Sequence, residues 1–149
     1  MNFPIDPDTV SHGIQLAIAP VFLLTAVSGM IAAVATRLAR IIDRARVLEE
    51  RIDSLGVGVA VKLAYTELGA LRIRGLLANS CIALLTLCGF LIGLTIIVLF
   101  LGETTDFQGL RTAVVCFLSG VVCFLLALVC FLAETLIATR LLNFKRPER

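Results

Sequence analysis

Five cysteines are the most conspicuous reactive side chains in this 149-residue chain. Thiolates bind soft metals and exchange disulfides, so their spacing decides whether they could act together. Cys81 and Cys88 are seven residues apart, and so are Cys116, Cys123 and Cys130 in turn. On a helix seven residues span about 10.5 Å, too far for two ligands of one ion. Antiparallel helices would bring Cys81 towards Cys130 and Cys88 towards Cys123, but no histidine or carboxylate stands among them to complete a zinc site. Buried cysteine packs as a small hydrophobe. The thiols are therefore read as packing residues, with neither a metal nor a cofactor expected. A thiol-based redox or metal protein stays as a separate class, in which replacing all five cysteines would give a phenotype.

Two other groups could do chemistry. Glu134 follows a long apolar run, and intramembrane carboxylates often mark ion paths. At helical rise it stands about 33 Å from Thr112, which places it at the membrane interface. There it is read as an interfacial ion or salt-bridge residue paired with a nearby arginine such as Arg37. His12, the only histidine, lies near the start of the chain and reads as an exposed helix-start residue. No nucleophile–base pair, metal spacing or phosphate loop is found. An enzyme is not expected.

The elements that must carry these residues follow from composition. The chain is 59% hydrophobic and 16% charged, against about 45–50% and about 25% for a soluble domain. Segments 14–36, 75–101 and 112–133 contain no Asp, Glu, Lys or Arg. Each reaches the roughly 20 residues that cross a hydrocarbon core as a helix. The fold class is therefore all-α: an integral membrane helical bundle of three transmembrane helices forming one domain.

Lys and Arg near the span ends set the orientation. The first tail carries Asp6 and Asp8, and segment 102–111 has only Arg111 against Glu103 and Asp106. Segment 37–74 holds Arg37, Arg40, Arg44, Arg46, Arg51, Lys62, Arg72 and Arg74, and tail 140–149 adds four more basic residues. The N-terminus is read as outside and the C-terminus as cytoplasmic. The acidic start and the arginines after the first span make that span a retained anchor rather than a signal peptide. Arg37, Arg40, Arg44 and Arg46 lie where anionic lipid headgroups stand, an attraction of about 1 kcal/mol per basic residue. The same topology explains the net charge of +2, so nucleic acid is not an expected partner.

Helical periodicity does not stop at the membrane. Leu38, Ile41, Ala45, Leu48, Ile52 and Leu55 recur at alternating steps of three and four. This is an a/d seam. Gly56 and Gly58 interrupt it, and Val57, Val61, Ala64, Leu68, Leu71 and Gly75 form a second seam leading into the second span. Segment 37–74 is therefore predicted to be a cytoplasmic antiparallel helical hairpin, formed by extensions of helices 1 and 2.

Within the spans, small residues gather on faces. Thr25, Ser28, Gly29, Ala32 and Thr36 share one face of the first helix, opposite Leu16, Leu23, Val27, Met30 and Val34. Such a face either packs against another helix or lines a pore. Pro20 should loosen the outer end of that helix. Gly89 and Gly93 form a GxxxG pair on the second helix. On the third, Cys116, Gly120, Cys123, Ala127 and Cys130 make a stripe for helix packing, with a seven-residue Cys-Phe-Leu repeat.

The run Ile14-Gln15-Leu16-Ala17-Ile18-Ala19-Pro20-Val21-Phe22-Leu23-Leu24 resembles the opening signature of a bacterial membrane family known as domain of unknown function 2721. So does Arg37-Leu38-Ala39-Arg40-Ile41-Ile42-Asp43-Arg44-Ala45-Arg46-Val47-Leu48-Glu49. The resemblance covers most of the chain. It implies a bacterial inner-membrane protein and brings no activity or catalytic residue.

The function expected from the residues is a non-enzymatic homo-oligomer in contact with membrane lipid, with an ion channel or pore lined by the small-polar face of helix 1. The alternative is an accessory or scaffold subunit that holds a cytoplasmic protein partner through the hairpin. By topology alone that alternative is similar to the ion-driven stator subunits of the biopolymer-transport class.

Overall fold

A computed structural model of the chain describes residues 7–54, 58–104 and 109–143. They form three α-helices: α1 (Pro7–Ser54), α2 (Val59–Thr104) and α3 (Leu110–Asn143). No strand occurs among the described residues. Lipid offers no hydrogen-bond partner to a bare peptide group, so a spanning segment must satisfy its own backbone, as a helix does. Pro7 stands at the first position of α1, where a missing N–H is of no consequence. The Gly58 carbonyl accepts the Val61 N–H at 3.2 Å as α2 begins, and the Gly109 carbonyl accepts that of Ala113 at 2.9 Å as α3 begins. The helix α1 continues through Pro20, which is buried.

All three helices are long and apolar enough to cross a membrane. Only 17%, 22% and 11% of their most apolar windows is buried inside the chain. The outward surface is correspondingly apolar, with Phe22, Leu76, Phe90 and Leu118 each more than half exposed. Water would be a poor solvent for that surface, and hydrocarbon a good one. At 46 residues α2 is about 69 Å long, more than twice the roughly 30 Å of a hydrocarbon core.

The buried side chains follow a seven-residue period. On α1 they are Pro20, Val27, Val34 and Ile41, and on α3 Ala113, Gly120, Ala127 and Glu134. On α2 they include Ala64, Leu68, Leu71, Ala78, Cys81, Leu85, Cys88 and Ile92. A heptad period holds one stripe of an α-helix against neighbours that cross at a shallow left-handed angle.

The chain divides into two compact units, residues 1–30 with 84–125 and residues 31–83 with 126–149. In the first unit, a methyl group on Gly89 would lie 3.6 Å from Leu24 and 3.9 Å from Val27. One on Gly120 would stand 3.0 Å from Ile92 Cδ1 and 3.6 Å from the Cys88 carbonyl. Both glycines bring a helix close to its neighbour. No transfer out of water drives helices together in lipid, so such close contact is a main source of attraction.

In the second unit α1 and α2 run antiparallel. Ile41 packs towards Gly75, and Arg44, further along α1, reaches Glu67, further back along α2. Ala64, Leu68 and Leu71 are buried and Val61 and Gly75 half-buried along α2, and Ile41 is buried with Leu38, Ala45, Leu48 and Ile52 half-buried along α1. These are the two predicted seams, less Leu55 and Val57, which lie outside the described residues with Gly56. Of the segment between α2 and α3, residues 105–108 also lie outside, as do the side chains of His12 and of residues 140–143 and the whole of residues 144–149.

Gly120 tests the close approach. Gly120→Leu should destabilise the chain by about 1–3 kcal/mol through overpacking against Ile92 and the α2 backbone. A methyl group on Gly93 would meet nothing within 4 Å, so Gly93→Leu should lie within about 0.5 kcal/mol of the parent. Thermal unfolding in detergent micelles compares the two.

Candidate functional site

One charged side chain is buried among the described residues: Glu134, 2% exposed. It ends the small-residue column of α3 and belongs to the second unit. Taking a lone carboxylate out of water costs several kcal/mol, so it must be compensated where it stands. Arg74 of α2 donates to Oε1 from Nε at 3.0 Å and from Nη2 at 2.8 Å. Arg37 of α1 stands with Nη2 3.3 Å from Oε2. Each of the three helices therefore contributes one member of an ion triad.

The arginines are themselves held. Arg37 Nη1 donates to Thr135 Oγ1 at 3.0 Å, and that hydroxyl donates to the Phe131 carbonyl at 2.9 Å. The Arg37 guanidinium carbon lies 5.0 Å from the centroid of the Phe131 ring, within cation–π range. The side chain of Arg74 is 21% exposed and that of Arg37 36%. The triad carries a net charge of +1, and a cation approaching Glu134 would first meet two guanidinium groups. Its chemistry is that of a clamp between helices.

The sequence pairs Glu134 with an arginine such as Arg37, and the structure brings the two together. Arg74, which makes the shorter contacts, was not singled out. Its signal was its place immediately before the charge-free run 75–101. Of the other arginines proposed for lipid contact, Arg40 and Arg46 are exposed. Arg44 is exposed too, and its Nη2 lies 2.7 Å from Glu67 Oε1.

The face of Thr25, Ser28, Gly29, Ala32 and Thr36 is exposed at all five positions. Within the chain α1 packs through the opposite side, with Val27 and Val34 buried to 2% and 1% exposure. The hydroxyls on this face are turned back on their own helix. Thr25 donates to the Val21 carbonyl at 3.2 Å, Ser28 to Leu24 at 3.0 Å and Thr36 to Ala32 at 2.9 Å.

The small-residue stripes of the other helices divide. Gly120 and Ala127 are buried, Gly89 is half-buried against α1, and Gly93 meets nothing within 4 Å. Cys116, Cys123 and Cys130 are half-buried, while Cys81 and Cys88 are fully buried. All five are free thiols. Cys81 lies near Cys130 and Cys88 near Cys123. Cys81 Sγ donates to the Ala127 carbonyl at 3.2 Å. No group of three or more His, Cys, Asp or Glu among the described residues is placed to hold a metal ion.

Residues 17–144 match the family described as a protein of unknown function (DUF2721). The chain belongs to this family. The match takes in the arm of α1 and α2 and all three ion-triad residues as well as the apolar helices. No curated protein and no solved structure matches the chain.

The triad has an energetic signature. Glu134→Ala leaves two guanidinium groups without their counterion and should destabilise the chain by about 3 kcal/mol. Arg74→Ala should cost more than Arg37→Ala, whose side chain is more exposed and whose contact is longer. Arg44→Ala, which removes an exposed pair, should cost about 0–1 kcal/mol. Thermal unfolding of the four variants in one detergent gives the order.

Proposed function

We propose that the protein is a non-enzymatic homo-oligomer of a bacterial inner membrane, with the small-polar face of α1 turned towards neighbouring copies around an ion path. The observation that carries this reading is the exposure of Thr25, Ser28, Gly29, Ala32 and Thr36, while the opposite face is buried at Val27 and Val34. A face of small residues and hydroxyls is a poor match for acyl chains and a good one for another helix or for water. With their protons committed to α1 carbonyls, Thr25, Ser28 and Thr36 present oxygen lone pairs outwards. Lone pairs favour a cation over an anion. Towards the N-terminus the same face carries exposed Ile18 and Phe22, an apolar collar of the kind that gates by dewetting. The distribution of Lys and Arg supports an outside N-terminus and a cytoplasmic C-terminus.

A second reading, an accessory subunit holding a cytoplasmic protein, draws on a groove of about 480 Å³ on the arm. Asp43, Arg44, Val47, Leu48, Arg51 and Glu67 line it. Loss of a co-purifying partner on deletion of residues 48–68 would favour that reading.

Mass measurement in mild detergent tests the oligomer. The parent should run as a multiple of 16.0 kDa, and Gly29→Phe should shift the mass downwards, because the contact has no room for a ring. A parent that runs as a monomer overturns the reading. A multimer that passes no cations in liposomes removes the channel and leaves the assembly.

A further inference from the structure

The helix α2 has a second apolar seam that the described residues leave largely exposed. Val59, Leu63, Thr66, Ala70, Ile73 and Leu77 recur at steps of four, three, four, three and four. At about 100° per residue this stripe lies roughly opposite the Ala64, Leu68 and Leu71 stripe that packs on α1. Val59, Leu63 and Ile73 are 78%, 68% and 54% exposed. Thr66 is exposed, and Ala70 and Leu77 are half-buried.

Lipid does not cover most of this seam. The charge-free part of α2 begins at Gly75 and already exceeds what a bilayer core needs. Arg72 and Arg74, with Arg37 of α1, mark the membrane edge, and residues 59–71 lie beyond them. An apolar stripe of this regularity in water needs a partner.

We propose that this seam pairs with the same seam of a second copy, as a parallel two-stranded coiled coil of α2 arms. Two observations select a second copy. Chains inserted the same way in one membrane present their arms in parallel. In heptad terms Leu63 and Ala70 then fall at a, Thr66 and Ile73 at d, Lys62 at g and Glu67 at the following e. Parallel pairing sets each g residue against the e residue five positions on in the partner. Lys62 of each copy thus meets Glu67 of the other, and two-fold symmetry makes the opposite-charge contact twice. Glu67 also holds Arg44, but its side chain is 38% exposed and a carboxylate accepts several donors. Small residues at Gly69 and Ala70 allow close approach. The inference shares with the proposed function only its need for a second copy, and it uses a different surface.

Cysteine cross-linking of the full chain in membranes is the test, with oxidation by copper phenanthroline. Leu63→Cys and Ala70→Cys lie on the seam, and Tyr65→Cys is an equally accessible site to one side of it. A disulfide needs Cα atoms within about 7 Å, so the dimer yield at 63 and 70 should exceed that at 65 by about tenfold. Adding Lys62→Glu to Leu63→Cys sets like charges across the pair and should lower the yield. Equal yields at 63 and 65 would overturn the proposal, and so would capture of Leu63→Cys by a different protein. Ser28→Cys reads the α1 face separately. Cross-linking there without cross-linking at 63 would spare the proposed function and remove this inference, and the reverse pattern would do the opposite.

Discussion

Glu134 is held between two arginines, one from each of the other helices, and that contact fixes where three apolar rods can meet. A carboxylate sheltered from water has few places to stand. Here both oxygens are taken up, Oε1 twice by Arg74 and Oε2 by Arg37. Sliding α3 along α2 by one turn would strand the charge about 5.4 Å from its partners. The packing in the same unit keeps that register: Cys81, seven residues on from Arg74, meets Ala127, seven residues back from Glu134. An ion triad is weak evidence for stability as such, since a well-packed apolar replacement can be as stable. Its value here is positional. Helix contacts made by Ala, Gly and Cys are nearly alike at successive turns, and a charge among them removes the ambiguity.

That same likeness explains which parts of the fold were legible in the sequence. Absence of charge marked the three membrane-crossing helices, because lipid excludes charge without regard to partners. The arm was legible from its two seams, since a three–four spacing fixes a face. The stripe Cys116, Gly120, Cys123, Ala127 and Cys130 was legible from its spacing, though only Gly120 and Ala127 of the five are buried. Periodicity divides a helix into faces but does not say which face turns inward. For α1 the choice is made by packing, which puts Val27 and Val34 in the core and the hydroxyl face outside. Nor does periodicity choose partners: eight basic residues lie in segment 37–74, and Arg74 emerges as the main counterion only when α2 and α3 are placed side by side.

The distribution of polar groups bears on what kind of work the chain can do. Among the described residues no buried side-chain nitrogen or oxygen lacks a partner. Thr95, buried at 2% exposure, donates to the Leu91 carbonyl at 2.8 Å. The hydroxyls of the α1 face are bonded to their own helix, the buried Cys81 thiol to α3, and the buried carboxylate to two arginines. A hydroxyl or thiol whose proton is committed in this way must give up that bond before it can donate elsewhere, at a cost of about 0.5–1.5 kcal/mol, while its remaining lone pairs stay open to a donor or a cation. Two exposed surfaces stand out by their pattern: a small-residue face on α1 and a heptad stripe on α2. Surfaces of those two kinds are read by other helices. The α1 face suits contact in lipid, where backbone approach is the attraction, and the α2 stripe suits contact in water, where burial of Leu63 and Ile73 supplies it. The two surfaces therefore differ in which attraction would bring a helix onto them: close backbone approach at the first, burial of apolar side chains at the second.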